Sequence, residues 1–446
     1  MKFREIVESP CGIRYLFDDL SLQSGFARKV LLDREMMTDA GVIDAAYDRL
    51  RGFYDLVLTD RRRVEDMRFR LQGLRDISGT LASLAEGATL DEIEFFEIKH
   101  LAMLAESLSM GQDLDRVIAI LDPDGLKIGT FYLYDSYSVE LRRLRSAVEA
   151  DPDDVQLQEQ LANEEDRLKK DISDKLRPHA PSLRQALVEM AELDISLAQA
   201  IQMHKEGLVL PASGPSASIT GMFHPGVRAV LRAKGRDFQP VDFSFEYGVP
   251  ATVIGANMGG KTVALKTLCM IQYLYQFGFA LPVKEAVLTP FDAVLFCIGD
   301  EQDEKAGLSS FAAEMQRIDR AIGVVEQGGR VLLLVDEPAR TTNPVEGTAL
   351  VAALLQRLAG QPRLALVMTT HYTVEHEGQC WRVKGLLPGT KGRKMDYRLV
   401  KTASHEVPHE ALNIARELGI DARWIDLADT IMKRQYEEKQ TWIGPA

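Results

Sequence analysis

Hydrophobic positions divide the chain into two regimes. From Cys11 to about Glu206 they recur at helical spacing, with few strand-like runs. Phe95, Phe96, Ile98, Leu101, Leu104 and Leu108 follow three- and four-residue steps, the stripe of an amphipathic helix against a core. The apolar, aromatic run GLKIGTFYLY from Gly125 to Tyr134 predicts a short extended segment. Charge-laced helices follow over 139–148 and 155–176, broken at Ala150-Asp151-Pro152-Asp153, and together they predict a helical hairpin. LPASGPSAS from Leu210 to Ser218 is composed like a connector. Beyond it, short β-prone runs at Ala251–Ile254, Ala293–Ile298, 331–335 and Leu364–Thr369 alternate with helical stretches over 262–277 and 311–326.

The expected fold class is therefore α + α/β. A helical domain at 1–138 and a hairpin with its return helix at 139–206 precede a connector at 207–220. A P-loop domain of mainly parallel sheet with covering helices then occupies 221–446.

Charge narrows the function. The 446 residues carry a formal charge of −13, which opposes non-specific binding to polyanions. The hairpin from Glu140 to Arg177 holds 11 acidic and 8 basic residues, a net of −3, where a phosphate-gripping arm should be positive. Arg61-Arg62-Arg63 and Arg142-Arg143 are short basic runs of the kind found on solvated helix faces. The four cysteines form no CxxC pair, and the sequence has neither an apolar leader nor a membrane-length run. A reducing, cytoplasmic setting without membrane association is expected.

The chemistry lies in the second regime. Residues 255–262 read Gly-Ala-Asn-Met-Gly-Gly-Lys-Thr, a GxxxxGK[ST] loop after a strand and before a helix. Its glycines let backbone N–H groups wrap phosphates, Lys261 supplies charge to the β- and γ-phosphates, and Thr262 offers a hydroxyl to Mg²⁺. The strand 331–335 runs into Asp336-Glu337. Asp336 is the second candidate for the Mg²⁺ shell, and Glu337 the candidate to orient and deprotonate water. A third strand delivers His371, a candidate γ-phosphate sensor. His371, His376 and Cys380 could be drawn as zinc ligands, but no similar fourth ligand lies nearby and His371 already has a use.

These residues resemble the MutS-type ATPases of the ABC class. GANMGGKT is similar to that family's GPNMGGKS, including Asn257 and Met258, which a generic P-loop does not require. Phe223-His224-Pro225 resembles its RHP element, and Phe238-Gln-Pro-Val-Asp its FVPND stretch. Gly307-Leu-Ser309-Ser310-Phe311 through Met315 resembles STFxxEM, Asp336 through Gly347 resembles DEIGRGTSxxDG, and Thr369-Thr-His371-Tyr372 resembles ATHY. Fainter likeness at 19–26 and 193–198 suggests the family's lever domain and clamp-return helix.

The resemblance implies an ATP- and Mg²⁺-dependent homodimer. Phe238 would stack on adenine, Gly255, Asn257, Met258, Gly259, Gly260, Lys261 and Thr262 would hold the phosphates, and Ser309 would reach the partner's nucleotide in trans. Departures from the pattern qualify it. Nothing in these residues matches the mismatch-reading domain or the nuclease-like tail, and the clamp is reduced to the acidic hairpin. Pro338, Thr341 and Asn343 replace isoleucine, glycine and serine of the family pattern. In size and motif set the chain resembles the ATPase subunit of a reactivase for B12-dependent lysine 5,6-aminomutase. That likeness implies a protein client and a second reactivase subunit as partners. The alternative is a DNA-structure-binding ATPase of repair or recombination.

Overall fold

A computed structural model of the chain describes residues 1–111, 114–255, 260–298, 310–386, 395–405, 412, 415–416 and 419–442. It forms two compact units that interleave along the sequence. One contains residues 1–4, 19–35 and 48–205; the other contains 5–18, 36–47 and 206–446.

The first unit is helical. The stripe containing Phe95 lies on a helix at Glu92–Ser107, with Phe95, Ile98, Leu101 and Leu104 buried. An Asp91/Glu94 capping box starts that helix. Gly125–Tyr134 was expected to be extended, but it forms no strand. Its start is fixed by Asp122, which accepts from the backbone N–H groups of Leu126 at 3.3 Å and Lys127 at 2.7 Å. At its end the Lys99 ammonium, itself buried, donates to Tyr134 Oη at 2.9 Å and to the Thr130 carbonyl at 3.2 Å. Polar anchoring replaces sheet pairing here.

The expected hairpin is present as helices Val139–Ala150 and Val155–Leu176, capped by Ser138 and Asp154. Leu141 and Leu144 on one helix, and Leu168, Ile172 and Leu176 on the other, are buried. The return helix, Ala180–Glu206, carries Asp194. The Asp194 carboxylate accepts from the N–H groups of Gln23 at 3.0 Å and Ser24 at 2.9 Å, so the two faintly recognised segments, 19–26 and 193–198, meet.

The second unit contains two sheets. Strands β1 (Ala212–Ser213), β2 (Ala217–Met222), β3 (Val241–Phe245) and β5 (Glu285–Leu288) form a small mixed sheet in the order β1-β5-β2-β3. The stretch expected as a connector thus supplies β1 and the start of β2. Ala217 and Ile219 are buried and Ser218 exposed, an alternation that the Pro, Gly and Ser content obscured.

The larger sheet is built from β4 (Ala251–Ile254), β6 (Ala293–Ile298), β7 (Val331–Asp336), β8 (Leu364–Thr369), β9 (Gln379–Leu386) and β10 (Met395–Thr402), in the order β10-β9-β4-β8-β7-β6. All pairings are parallel except β9 with β10. Every residue of β7 and β8 is buried, as expected for parallel strands covered on both faces. Each fully buried Leu or Val contributes roughly 1.5–3 kcal/mol of transfer free energy, so these strands form a rigid floor under their polar ends.

Candidate nucleotide site

Strand order assembles the site. β4, β8 and β7 are adjacent, with Val253 opposite Thr369 and Thr369 opposite Asp336. Gly255 after β4, the threonines ending β8 and the carboxylates ending β7 therefore emerge side by side at the C-terminal sheet edge, where open α/β folds place ligands.

Asp336 Oδ1 accepts from Thr262 Oγ1 at 3.2 Å and from Thr369 Oγ1 at 2.6 Å. A hydroxyl and a carboxylate oxygen so juxtaposed form an oxygen donor set suited to Mg²⁺, so the residues present fit that ion. Lys261 is 3% exposed; its Nζ donates to the Gly255 carbonyl at 2.8 Å and lies 3.1 Å from Glu337 Oε1. The candidate phosphate-binding cation and the candidate water-orienting carboxylate thus face one point. The Arg340 guanidinium stands 3.9 Å from the other Glu337 oxygen.

The loop after β7 is held in a conformation that side chains seldom adopt. Glu337 and Ala339 have φ of +43° and +61°. Glu337 N donates to Thr369 Oγ1 at 2.9 Å and to the Thr369 carbonyl at 3.2 Å. Ala339 N donates to buried Glu314 at 3.3 Å, and Tyr372 Oη donates to the Ala339 carbonyl at 2.8 Å. Gly347 leaves room for that tyrosine, since a Cβ there would lie 2.2 Å from Tyr372 Oη. Such over-determined strain is a mark of functional loops. Asn343 caps the helix Pro344–Leu358 by accepting from Val345 N at 2.9 Å, as serine would. Thr341 has no positive φ, so glycine is not required there.

His371 lies beside this centre, its ring centroid 4.0 Å from that of Tyr372. Burial pushes its pKa below 6.5, opposed by the nearby Glu337 carboxylate and reinforced by Lys261 and Arg340. Among the described residues its buried Nδ1 has no hydrogen-bond partner. His376 turns elsewhere, its Nε2 lying 2.8 Å from Thr252 Oγ1. His224, from the FHP element, has a local structural role: its Nδ1 accepts from Val227 N at 3.4 Å and caps the helix Pro225–Ala233.

Beside Gly260 opens a cleft of about 350 Å³. Phe238 and Tyr397 contribute aromatic walls, and Val227, Leu231, Val263 and Ala264 apolar ones. This is the size and character of a small-molecule pocket. Gly260 has φ +77°, and a Cβ there would lie 3.3 Å from the Tyr397 ring. The aromatic thus packs against the end of the phosphate loop.

The described residues bring together Phe238, Gly255, Gly260, Lys261, Thr262, Asp336, Glu337 and His371. Asn257, Met258, Gly259 and Ser309 lie outside them. Sequence reading did not single out Thr369, Tyr397 or Gln239. Thr369 carried a signal, since it ends a buried strand in the TTHY segment; Tyr397 carried none until β10 was folded alongside β9.

Comparison with known proteins finds likeness over this stretch of chain. The family described as MutS domain V matches residues 251–415. The chain is 31% identical over 316 residues to "Endonuclease MutS2" of Thermomicrobium roseum, covering 64% of this chain and 39% of that protein. It is 33% identical over 211 residues to "Endonuclease MutS2" of Halothermothrix orenii, covering 46% and 25%. Over 264 residues it is 29% identical to "DNA mismatch repair protein MutS" of Thermus caldophilus, covering 55% and 31%. The chain thus spans between a quarter and two-fifths of these relatives' lengths. Sequence match and site geometry coincide on one stretch of chain, and residues 251–415 are similar to MutS domain V.

Proposed function

We propose that this protein is an ATP-hydrolysing conformational switch acting as a homodimer, and that its client is another protein. The observation that carries the ATPase reading is the convergence of Lys261, Thr262, Asp336 and Glu337 at one sheet edge. In this reading Lys261 binds the β- and γ-phosphates, and Thr262 and Asp336 hold Mg²⁺. The ion, when bound, neutralises charge on the phosphate oxygens. Glu337, aimed by the strained loop, orients and deprotonates water. His371, kept neutral by burial, hydrogen-bonds the γ-phosphate, and Phe238 and Tyr397 stack on the base. Ser309 completes the partner subunit's site, so that ATP binding favours one dimer arrangement and hydrolysis releases it.

A protein client is supported by charge. Six of the eight basic side chains of the hairpin are engaged with carboxylates: Arg143 with Glu140, Arg145 with Asp135 and Glu165, Arg167 with Glu164, Lys169 with Glu92, Lys175 with Asp171, and Arg177 with Asp174. A phosphate backbone would have to displace these pairs from an already acidic arm. The client candidate is a B12-dependent aminomutase, acting with a second reactivase subunit, on the strength of the likeness in size and motif set. The second reading, action on DNA, is favoured by the relatives, whose names denote an endonuclease and a mismatch-repair protein.

Glu337→Gln, loaded with ATP, separates the two. Its affinity is measured for purified aminomutase and for duplex and branched DNA across a salt series. Retention of the aminomutase, with DNA affinity no better than non-specific, supports the protein client. Tight DNA binding with a steep salt dependence, and no aminomutase binding, overturns it.

A further inference from the structure

The proposed base cleft has two aromatic walls from distant parts of the chain. Phe238 lies in the loop before β3, and Tyr397 lies in β10. Packing alone leaves their separation adjustable, because both are half-exposed and the cleft between them is open. One side chain ties the two together. Gln239, next to Phe238, donates from Nε2 to Asp396 Oδ1 at 2.9 Å and accepts at Oε1 from the backbone N–H of Tyr397, also at 2.9 Å. Both ends of the amide are engaged, so its orientation is fixed.

Asp396 is itself anchored. It is 3% exposed and accepts from the Arg398 backbone N–H at 3.1 Å and from the Arg398 guanidinium at 2.6 Å and 3.0 Å, with Lys384 Nζ 3.8 Å away. The Arg398 hydrogen bond, against burial, holds its carboxyl well below the usual carboxylate range. The β9–β10 register shifts between Asp396 and Leu399. Irregularities of this kind re-aim side chains, and this one brackets Tyr397.

We infer that Gln239 is a positioning residue of the nucleotide site, and that with Asp396 it sets the spacing of Phe238 and Tyr397 for a purine base. This rests on the reading of the cleft as the base pocket. A tie that merely stabilised the loop would lower thermal stability and weaken every ligand alike. A tie that sets the base slot affects only ligands that have a base.

The test compares Mg²⁺-dependent binding of ATP and of inorganic triphosphate by calorimetry. Gln239→Glu keeps the acceptor for Tyr397 N–H but brings a carboxylate against Asp396. It should weaken ATP about tenfold, the scale of a lost buried hydrogen bond, and leave triphosphate unchanged. Adding Asp396→Asn restores a donor opposite the new carboxylate, and the double variant should recover most of the ATP affinity. Gln239→Met, which fills similar space without hydrogen bonds, should behave like Gln239→Glu but gain nothing from Asp396→Asn. The inference is overturned if Gln239→Glu binds ATP as the unaltered protein does, if both ligands weaken in proportion, or if the double variant shows no recovery. Phe238→Ala and Tyr397→Ala distinguish the two levels of failure. If they lower the ATP-to-triphosphate ratio while Gln239→Glu does not, only the positioning role falls; if they leave it unchanged, the base-pocket reading falls as well.

Discussion

Thr369 joins the two carboxylates on which the proposed chemistry depends. Its hydroxyl donates to Asp336 and accepts from Glu337 N, fixing the metal-binding candidate and the water-orienting candidate relative to each other. Thr369→Val keeps the shape and removes both bonds. Glu337 N keeps the Thr369 carbonyl and Asp336 keeps Thr262, so the cost is that of two lost hydrogen bonds, ~0.5–1.5 kcal/mol apiece, and steady-state kinetics should show kcat down by roughly tenfold, with a smaller change in KM. A second residue-scale expectation concerns pH. Burial holds His224, His371 and His376 below the ordinary 6.5. Below that pH the unfolded chain takes up protons that the folded chain refuses. Stability is therefore fully present above pH 6.5 and declines as pH falls towards the folded values. Chemical-denaturation midpoints between pH 7.5 and 5.5 should fall with pH, and His376→Gln should flatten the decline.

Elements were legible in proportion to how local their signals are. Helix Glu92–Ser107 announced itself by its stripe, and the hairpin by the break at Ala150-Asp151-Pro152-Asp153 between two charge-laced helices. The apolar runs of β6, β7 and β8 needed no partner to be recognised. β2, β9 and β10 were obscured because each mixes buried and exposed positions and depends on a distant strand. The same limit applies to Gly125–Tyr134, whose aromatics suggested a strand although its hydrogen bonds go to Lys99 and Asp122. Lys99 and Asp122 are 1% and 4% exposed, and their charged groups lie 3.5 Å apart. Lys99→Met should cost ~3–5 kcal/mol in urea unfolding because it strands a buried carboxylate. Lys99→Met combined with Asp122→Asn should cost less than the single change.

At the scale of the whole molecule, the candidate nucleotide site was legible as motifs, because phosphate chemistry demands particular residue types at fixed spacing along one strand-loop-helix. A partner surface was not, because its composition is shared by solvated helices. Residues 5–18 and 36–47 fold with the unit that contains the two sheets, a grouping that no local pattern announces. Glycine 12 shows why the grouping is specific. It has φ +94°, and a Cβ there would lie 2.5 Å from the ring of His224, so the N-terminal segment fits closely around the FHP element.

In the proposed reading this sheet edge hydrolyses ATP through Glu337. Single-turnover hydrolysis with excess enzyme, set beside ATP affinity, tests it most directly. Glu337→Gln should bind ATP about as tightly as the unaltered protein yet cleave it at least ~100-fold more slowly, the loss expected for a missing general base. Lys261→Ala should lose ATP binding itself. Cleavage at an unchanged rate by Glu337→Gln, or tight ATP binding by Lys261→Ala, would contradict the account.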